Sequence, residues 1–498
     1  MAQKEFKRSA GILMPISSLP SPYGIGTFGS KAYEFVDHLE ASGQKFWQVL
    51  PLGPTSFGDS PYQSFSAFAG NPYFIDFDFL IEEGLITRDF VEDFKWSLED
   101  GYVDYGLLFE NRYQVLREAF ANSDHAKSEE YKTFVKENDW LEDYALYRAC
   151  KTHFEHLSWE EWPKDIKFRK KEALAKYKKK LKKDIDFYKF LQFKFFEQWF
   201  ALKEYANEKG IEIIGDIPVY VAMDSAEVWK SPKQFKLNKD LVAEVVSGVP
   251  PDIFSEFGQK WGNPLYDWAK MEKDGFKWWK NRMNFMAKMY DVIRIDHFLG
   301  LVKYYAIPAE DGNAVNGKYL KGPGMKLIKA INEAVGDKKI IAEDLGVEMP
   351  EAKKVIAKSG YPSMKVLEFA FDGDRKNPHL PYNFNENMVV YGGTHDNDTL
   401  VGYFNDLQWW QLDYVREYMG DSHMSVEQIV DNIFREAYKS VANLVVFQMQ
   451  DVLKIDSKGR MNVPSTLGTN WRWRMKDGEF TPEHMRYLRY MSDIYGRL

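Results

Sequence analysis

Eight short runs of apolar residues, separated by helix-like segments, restrict the fold of this chain more than any other feature. The runs are nearly continuous in Val, Ile, Leu, Phe and Tyr, as expected for strands buried on both faces. Their alternation with helices indicates βα units and a parallel sheet. Eight such strands predict an α/β fold, a closed (β/α)8 TIM barrel. The runs cover residues 11–19, 46–53, 211–221, 291–298, 339–346, 363–371, 388–394 and 443–453.

The spacing of the runs predicts one catalytic barrel over residues 1–498 with two large insertions. Helical segments 31–42 and 325–335 end at Gly43 and Gly336, the usual glycine C-cap. Segment 82–210, rich in Glu, Lys, Leu and aromatic residues, predicts a mainly helical insertion after the second strand. Segment 222–270 contains the turn-rich stretch 248–252 and predicts a loop-rich insertion after the third strand. Long loops of a barrel are usually functional.

Charge and composition exclude several classes of protein. The 498 residues carry a formal charge of −8, and the dense basic run 169–183 lies in a helical stretch, so we expect no nucleic-acid partner. Residues 1–8 lack the apolar region of a signal peptide, and no stretch approaches the roughly 18 apolar residues of a membrane span. The single cysteine, Cys150, fits a reducing compartment. We therefore expect a cytoplasmic protein with no membrane partner.

Acidic residues stand where several of the predicted strands end, the position at which barrel enzymes carry their catalytic groups. Asp296 lies near the end of the fourth run, Glu343 and Asp344 near the end of the fifth, and Asp396 just after the seventh. Asp216 lies in the third run. One such acid is more often a helix cap or a surface ion pair, but several at one barrel mouth weaken that alternative.

The spacing of these acids indicates glycoside cleavage. Arg294 and Asp296 are two residues apart and share one face of the strand, so the guanidinium favours the ionised carboxylate. Glu343 and Asp344 are adjacent and point to opposite faces, and the spacing does not decide which one joins the cluster. Several acids in one mouth repel, so the least solvated should keep its proton and act as general acid. An acid and a carboxylate nucleophile are what retaining glycosidases require.

Other chemistries have weaker support. His297 and His395 lie in no H-E-x-x-H pattern and have no third His or Cys nearby, so no catalytic metal is expected. Neither a Gly-x-Gly-x-x-Gly nor a Walker pattern is present, so no nucleotide cofactor is expected either. Lys365 lies several residues before its strand ends, which favours a structural or surface role over a Schiff base.

The chain resembles the amylomaltases, the 4-α-glucanotransferases (disproportionating enzymes) of glycoside hydrolase family 77, which are related to the α-amylases. The resemblance spans nearly the whole chain, and the ordered set of motifs is highly specific. The motifs are GILMPISSLP from Gly11, GIG from Gly24, SPYQ from Ser60, GDIP from Gly215, VPPD from Val249, QKWGNP from Gln259, RIDHF from Arg294, AEDLG from Ala342, GTHDN from Gly393, NVP from Asn462 and NWRWR from Asn470.

The resemblance implies a role for each acid. Asp296 would be the nucleophile, Glu343 rather than Asp344 the general acid/base, and Asp396 the stabiliser of the distorted sugar. It also implies eight substrate-binding residues, which are Ser60, Tyr62, Asp216, Gln259, Trp261, Arg294, His395 and Asn462.

Among these residues, Arg294 and His395 would hold the reacting glucose, with Asp216 beneath it. Tyr62 would form an aromatic platform. Gln259 and Trp261 would lie on the loop that lines the acceptor side. Turn packing is the alternative for Tyr62, Gln259 and Trp261. Leu299 stands where the family more often has Arg, which puts one outer contact in doubt.

The implied reaction transfers a segment of a 1,4-α-D-glucan to the 4-hydroxyl of an acceptor glucose or glucan, with retention of configuration. Donors would be maltooligosaccharides and longer chains. The family lacks the C-terminal β-sandwich of α-amylases, and we expect none here. A retaining hydrolase with the same acids is the alternative, because transfer requires that water be excluded or badly placed at the intermediate. The aromatic loop around Trp261 would serve this purpose.

Overall fold

The structure, a computed structural model, describes residues 6–56, 58–251, 255–347 and 349–498. Asp252, the last residue of the predicted turn 248–252, lies outside the described residues. No helix in the described ranges is both long and apolar enough to cross a bilayer.

Eight of the β-strands in the described part close into a parallel barrel, in the order β1-β12-β11-β10-β9-β6-β3-β2. Each predicted run overlaps one barrel strand, so the (β/α)8 prediction is confirmed. The strands are shorter than the runs because apolar residues continue into the buried connections at the barrel mouth, as Met14, Ile16 and Leu19 do after β1. The strands are β1 Ser9–Leu13, β2 Phe46–Gln48, β3 Glu212–Pro218, β4 Val245–Val249, β5 Gln259–Pro264, β6 Val292–Asp296, β7 Lys303–Pro308, β8 Lys318–Lys321, β9 Lys339–Ala342, β10 Ser363–Val366, β11 Met388–Tyr391 and β12 Leu444–Gln448.

The helices surround this barrel. They are α1 Ser30–Ala41, α2 Phe77–Glu82, α3 Arg88–Glu92, α4 Tyr105–Asn122, α5 Glu129–Glu137, α6 Leu141–His153, α7 Lys164–Lys167, α8 Lys171–Lys180, α9 Lys182–Glu208, α10 Ala226–Lys230, α11 Trp268–Lys273, α12 Lys277–Met289, α13 Met325–Val335, α14 Pro350–Ser359, α15 Leu400–Asp406, α16 Trp409–Met419, α17 Val426–Lys439, α18 Met449–Val452 and α19 Pro482–Ile494. Short 3-10 turns span Ile16–Ser18, Pro72–Phe74, His125–Lys127, Trp159–Glu161, Pro232–Gln234, Phe298–Leu301, Leu367–Phe369, Pro381–Asn383 and Ser457–Gly459. The predicted glycine ends of α1 and α13 are confirmed, because Gly43 and Gly336 have φ of 70° and 65°.

Helices α2 to α9 lie between β2 and β3, in the region predicted to be mainly helical. The long helix α9 packs against α4, α6 and β3. In α8, Ala173 and Tyr177 are buried while its lysines are exposed, so the basic run there is a solvated helix face. That this region and 222–270 are insertions within a single domain stays a prediction.

Segment 222–270 contains more regular structure than the predicted loops. Its strands β4 and β5 join β7 and β8 in a four-stranded antiparallel sheet, ordered β5-β4-β7-β8. Strand β7 begins at Lys303, shortly after β6 ends at Asp296. Gln259 and Trp261 therefore lie on an edge strand, β5, and not on a loop. The β4–β7 pair joins residues far apart in sequence, which makes the assembly of the two hairpins β4–β5 and β7–β8 into one sheet hard to predict.

Apolar side chains of alternate strand residues fill the barrel interior, as the pleat of parallel strands requires. Parallel pairing sets Asp216 of β3 beside Arg294 of β6 at the mouth. The interior residues are Leu13, Phe46, Ile214, Val292, Ile341, Met364, Val366, Val389, Tyr391, Leu444 and Val446, and Phe6 belongs to the same cluster.

Candidate active site

A buried guanidinium joins two of the strand-end acids. Arg294 Nη1 donates to Asp216 Oδ1 and Oδ2 at 2.7 and 2.6 Å and to Asp296 Oδ1 at 3.1 Å. The side chains of Arg294 and Asp216 are 4% and 0% exposed, while that of Asp296 is 28% exposed. Arg294 and Asp296 share a strand face, as predicted. Asp216 therefore anchors Arg294 from below, and Asp296 faces the cleft.

Glu343, and not Asp344, joins this cluster. Glu343 Oε2 accepts a hydrogen bond from the backbone N–H of His297 at 2.6 Å, and Oε1 accepts one from that of Leu345 at 2.8 Å. Asp344 Oδ1 instead accepts from the backbone N–H of Met364 at 2.9 Å, on the other face of the chain. The prediction that the two adjacent acids diverge is confirmed.

Burial determines how the two central carboxyl groups titrate. It raises the pKa of Glu343 to about 7, although Arg294 and the two N–H donors oppose the rise. Burial also raises the pKa of Asp296 well above its ordinary value; Arg294 opposes this, and the charges of Asp216 and Glu343 add to it. Arg294 thus favours ionised Asp296 as expected, but burial outweighs it in the free site. Burial and the charge of Glu343 therefore both favour the protonated form of Asp296 in the free site.

Asp396 lies after β11 and is held at several atoms. Its Oδ1 accepts a hydrogen bond from Asn462 Nδ2 at 2.6 Å, and its Oδ2 lies 3.5 Å from His395 Nε2. The Asp396 backbone carbonyl accepts from Arg460 Nη2 at 3.1 Å. Burial lowers the pKa of His395, which favours a neutral imidazole. The Asp396 side chain is 50% exposed, so its carboxylate is accessible from the cleft.

Tyr62 connects the base of the site to an aromatic wall. Its hydroxyl donates to Asp216 Oδ2 at 2.7 Å, and its ring stacks on His395 with centroids 5.0 Å apart and planes 18° apart. The Trp471 ring lies 5.9 Å from both rings. Ser60 Oγ accepts from the Tyr62 backbone N–H at 3.3 Å, so Ser60 shapes the turn that presents the tyrosine.

Gln259 and Trp261 reach the cluster of Arg294, Asp296 and Glu343 through a single residue, His297. Trp261 Nε1 donates to Gln259 Oε1 at 3.1 Å. The Trp261 ring meets the His297 ring edge to face, with centroids 4.8 Å apart and planes 89° apart. His297 follows Asp296 directly, so this contact brings strand β5 next to the end of strand β6.

Sequence reasoning missed the contributions of Trp471 and His297. Trp471 was part of a matched motif without a role; its left-handed backbone, with φ of 64°, is not visible in the sequence. His297 was considered only as a metal ligand. The described residues contain no group of three or more His, Cys, Asp or Glu side chains arranged to hold a metal ion. Leu299 is buried, 5% exposed, in the 3-10 turn that follows His297.

Comparison with known proteins identifies similar enzymes. The sequence model of one family, described as 4-alpha-glucanotransferase, matches residues 14–481. The 4-alpha-glucanotransferase of Clostridium butyricum is 49% identical over 494 residues, 97% of this chain and 100% of that protein. That of Thermus thermophilus is 44% identical over 504 residues, 99% and 100% of the two chains. The solved amylomaltase of Streptococcus agalactiae in complex with acarbose superposes with a TM-score of 0.95 and 44% identity, covering 99% and 100%.

Proposed function

Because the chain belongs to the 4-alpha-glucanotransferase family, we propose that Asp296, Glu343 and Asp396 perform its glucan transfer by a retaining double displacement. The enzyme transfers a segment of a 1,4-α-D-glucan to an acceptor. The relatives described above are glucanotransferases, which favours transfer over the hydrolase alternative. The observation that carries the proposal is the geometry of the two central carboxyl groups. Asp296 lies beside Arg294, and two backbone N–H groups hold Glu343.

In the first step Glu343 protonates the glycosidic oxygen while an Asp296 carboxylate oxygen attacks the anomeric carbon. The bond from that carbon to the leaving oxygen breaks, and a glycosyl ester to Asp296 forms. The step requires a proton on Glu343 and a negative charge on Asp296. The Arg294 hydrogen bond to Asp296 at 3.1 Å favours this distribution. The leaving glucan departs with the proton.

In the second step the Glu343 carboxylate accepts the proton of the acceptor 4-hydroxyl, whose oxygen attacks the anomeric carbon and releases Asp296. Two inversions at one carbon retain the configuration. A pKa of about 7 lets Glu343 both donate and accept a proton near neutral pH. Asp396, half exposed and oriented by Asn462, would stabilise the positive charge that develops on the sugar ring.

The surrounding residues would bind the sugars. His395 and Arg294 would hold the reacting glucose, and Tyr62 would offer its ring as a platform. Trp261 and Gln259 on β5 would line the acceptor side. Asp216 would act through Arg294 and Tyr62, since both donate hydrogen bonds to it. The acarbose complex of the S. agalactiae amylomaltase supports a sugar-binding cleft in this fold.

We further propose that the donors are maltooligosaccharides and longer α-1,4-glucans, including starch and glycogen chains, and that glucose serves as acceptor. We also propose a cytoplasmic location.

The test of this proposal is product analysis after incubation with maltotriose. Transfer yields glucose together with dextrins longer than maltotriose. Formation of shorter sugars alone would indicate a hydrolase. Isotope-labelled glucose added to the reaction should appear at the reducing ends of the dextrins if glucose is an acceptor. The Asp296→Asn variant, prepared in the same way, controls for contaminating enzymes.

A further inference from the structure

His297 has a left-handed backbone conformation between the end of β6 and the 3-10 turn Phe298–Leu301. Its φ and ψ are 51° and 48°. Few residues other than glycine adopt this conformation, although His, Asn and Asp adopt it more readily than β-branched residues do. Such strained residues cluster at functional sites, where the surrounding structure holds them in place.

This backbone conformation directs a hydrogen-bond donor at Glu343. The His297 N–H lies 2.6 Å from Glu343 Oε2, and the next N–H, of Phe298, donates to the Glu343 carbonyl at 3.0 Å. This N–H lies in the peptide plane between residues 296 and 297, so a residue that resists the left-handed φ would favour rotation of that plane and point the N–H elsewhere. The orientation of the Glu343 carboxyl group therefore depends on how residue 297 is held.

The His297 side chain is held by the acceptor-side strand. Its ring packs edge to face on Trp261, with centroids 4.8 Å apart, and lies 6.4 Å from the Tyr220 ring. Gly300 leaves the room for it, because a Cβ there would lie only 2.8 Å from His297 Cδ2. Burial lowers the pKa of His297 to about 4, so the imidazole is neutral at neutral pH. The contact with Trp261 thus depends on packing and not on charge.

We propose that His297 is a positioning residue that couples the acceptor-side Trp261 to the orientation of Glu343. A sugar packed on Trp261 presses the His297 ring into place, and the backbone of the same residue then holds Glu343 for proton abstraction. A water molecule makes no such contact with Trp261. The coupling therefore favours sugar over water as the acceptor. This inference rests on the proposed function, since it assigns Glu343 as the acid/base.

Two types of substitution separate the side chain from the backbone. Asn and Gly both adopt the left-handed conformation, so His297→Asn and His297→Gly remove the ring and keep the N–H donor. The KM for acceptor glucose and the ratio of hydrolysis to transfer should each rise roughly 3- to 10-fold, the effect of losing one aromatic pair. At saturating acceptor, kcat should stay within about 3-fold of the wild-type value, because the N–H that positions Glu343 remains.

His297→Val tests the backbone, because a β-branched residue resists the left-handed conformation. If the N–H turns away, kcat at saturating acceptor should fall roughly 10-fold or more. Loss of a donor to the carboxylate should also move the alkaline limb of kcat/KM to higher pH. The other groups that bear on Glu343 are unchanged: Arg294, Asp296, Asp344, Tyr391 and the Leu345 N–H.

His156 offers a matched control. It too has a left-handed backbone, with φ of 65°, but it is exposed in the turn after α6. His156→Asn and His156→Val should leave the acceptor KM, the product ratio and the pH profile unchanged. Gly300→Ala gives a second test with residue 297 intact, because the added methyl group displaces the His297 ring. It should raise the acceptor KM as His297→Asn does.

The outcomes distinguish this inference from the proposed function. If the wild-type enzyme does not disproportionate maltotriose, the proposed function fails whatever the variants do. If the wild-type enzyme does, and His297→Asn and Gly300→Ala both keep the wild-type acceptor KM and product ratio, the coupling is refuted. An unchanged pH profile and kcat in His297→Val would refute the backbone role. If circular dichroism shows that a residue-297 variant does not fold, the acceptor KM of Gly300→Ala tests the coupling in its place.

Discussion

Replacing Glu343 by Gln tests the acid/base assignment most directly, because the amide has nearly the shape of the carboxyl group but cannot donate or accept the transferred proton. General acid catalysis contributes about 10²–10⁴-fold to such reactions. The turnover of maltotriose should fall by that factor, which corresponds to roughly 2.7–5.4 kcal/mol in the activation free energy.

The same substitution has a calculable effect on stability. Both Glu343 oxygens accept backbone N–H groups, from His297 at 2.6 Å and from Leu345 at 2.8 Å. Glutamine offers one oxygen, so its NH2 group must face one of these donors and leave it unpaired. An unsatisfied buried donor costs about 1–3 kcal/mol. Glutamine also removes a carboxylate that burial disfavours, since the pKa of Glu343 is raised to about 7, and this gain offsets the loss at neutral pH. The free energy of unfolding in urea should therefore stay within about 2 kcal/mol of the wild-type value at pH 7.

The decisive assay compares two glycosyl donors, maltosyl fluoride and maltotriose. Fluoride leaves with little help from an acid, so in the first turnover the Glu343→Gln variant should form the glycosyl ester from maltosyl fluoride within about 10-fold of the wild-type rate, while its activity on maltotriose collapses. Release of the intermediate needs the missing base, so a glycosyl ester should accumulate on Asp296 and be detectable by mass spectrometry. Wild-type kcat/KM on maltotriose should decline as the pH rises through about 7, where Glu343 loses its proton.

Asp344→Asn is the matched control, since Asp344 is adjacent in sequence but bonds to the Met364 N–H outside the cluster. It should keep maltotriose turnover within about 3-fold. The assignment would be refuted if Glu343→Gln kept wild-type activity on maltotriose, or if its first turnover of maltosyl fluoride were slowed as much as its reaction with maltotriose.

Three further predictions follow from named contacts. Asp296→Asn should lower kcat about 10⁴-fold or more while the protein stays folded, because the amide oxygen can still accept from Arg294; initial rates and melting curves check this. Asp216→Ala should lower the free energy of unfolding in urea by about 3–5 kcal/mol, because it leaves the buried Arg294 without its main counter-charge. Burial raises the pKa of Asp451 to about 8, so the folded protein holds a proton that the unfolded chain releases above about pH 4. Stability should therefore fall as the pH rises toward 8, by at most about 1.4 kcal/mol per pH unit from this group, and Asp451→Asn, which keeps an acceptor for the Leu400 N–H, should remove that slope.

The barrel could be predicted because its signal is local. Strands buried on both faces need nearly continuous apolar runs, and all eight predicted runs overlap a barrel strand. The ends of the strands were less well predicted, since residues such as Met14 and Ile16 are buried beyond β1 without being part of it. Segment 222–270, which contains β4 and β5, was predicted to be loop-rich, because both strands are short and β4 finds its second partner, β7, only far along the chain.

By itself the sequence determined the strand-end positions of the acids and the pairing of Arg294 with Asp296, because a two-residue spacing places side chains on one face of any strand. The spacing left Glu343 and Asp344 open, and the resemblance to the amylomaltases chose Glu343. The register of β9 beside β6 supplies the physical reason, because it sets Ile341 next to Arg294 and points Glu343 into the mouth.

The titration of the central acids was decided only by the tertiary structure. A pKa depends on burial and on charges brought together from different strands, and neither is encoded in local spacing. The contact between Trp261 of β5 and His297, the residue after β6, likewise depends on tertiary packing, and packed neighbours surround the left-handed backbone of His297.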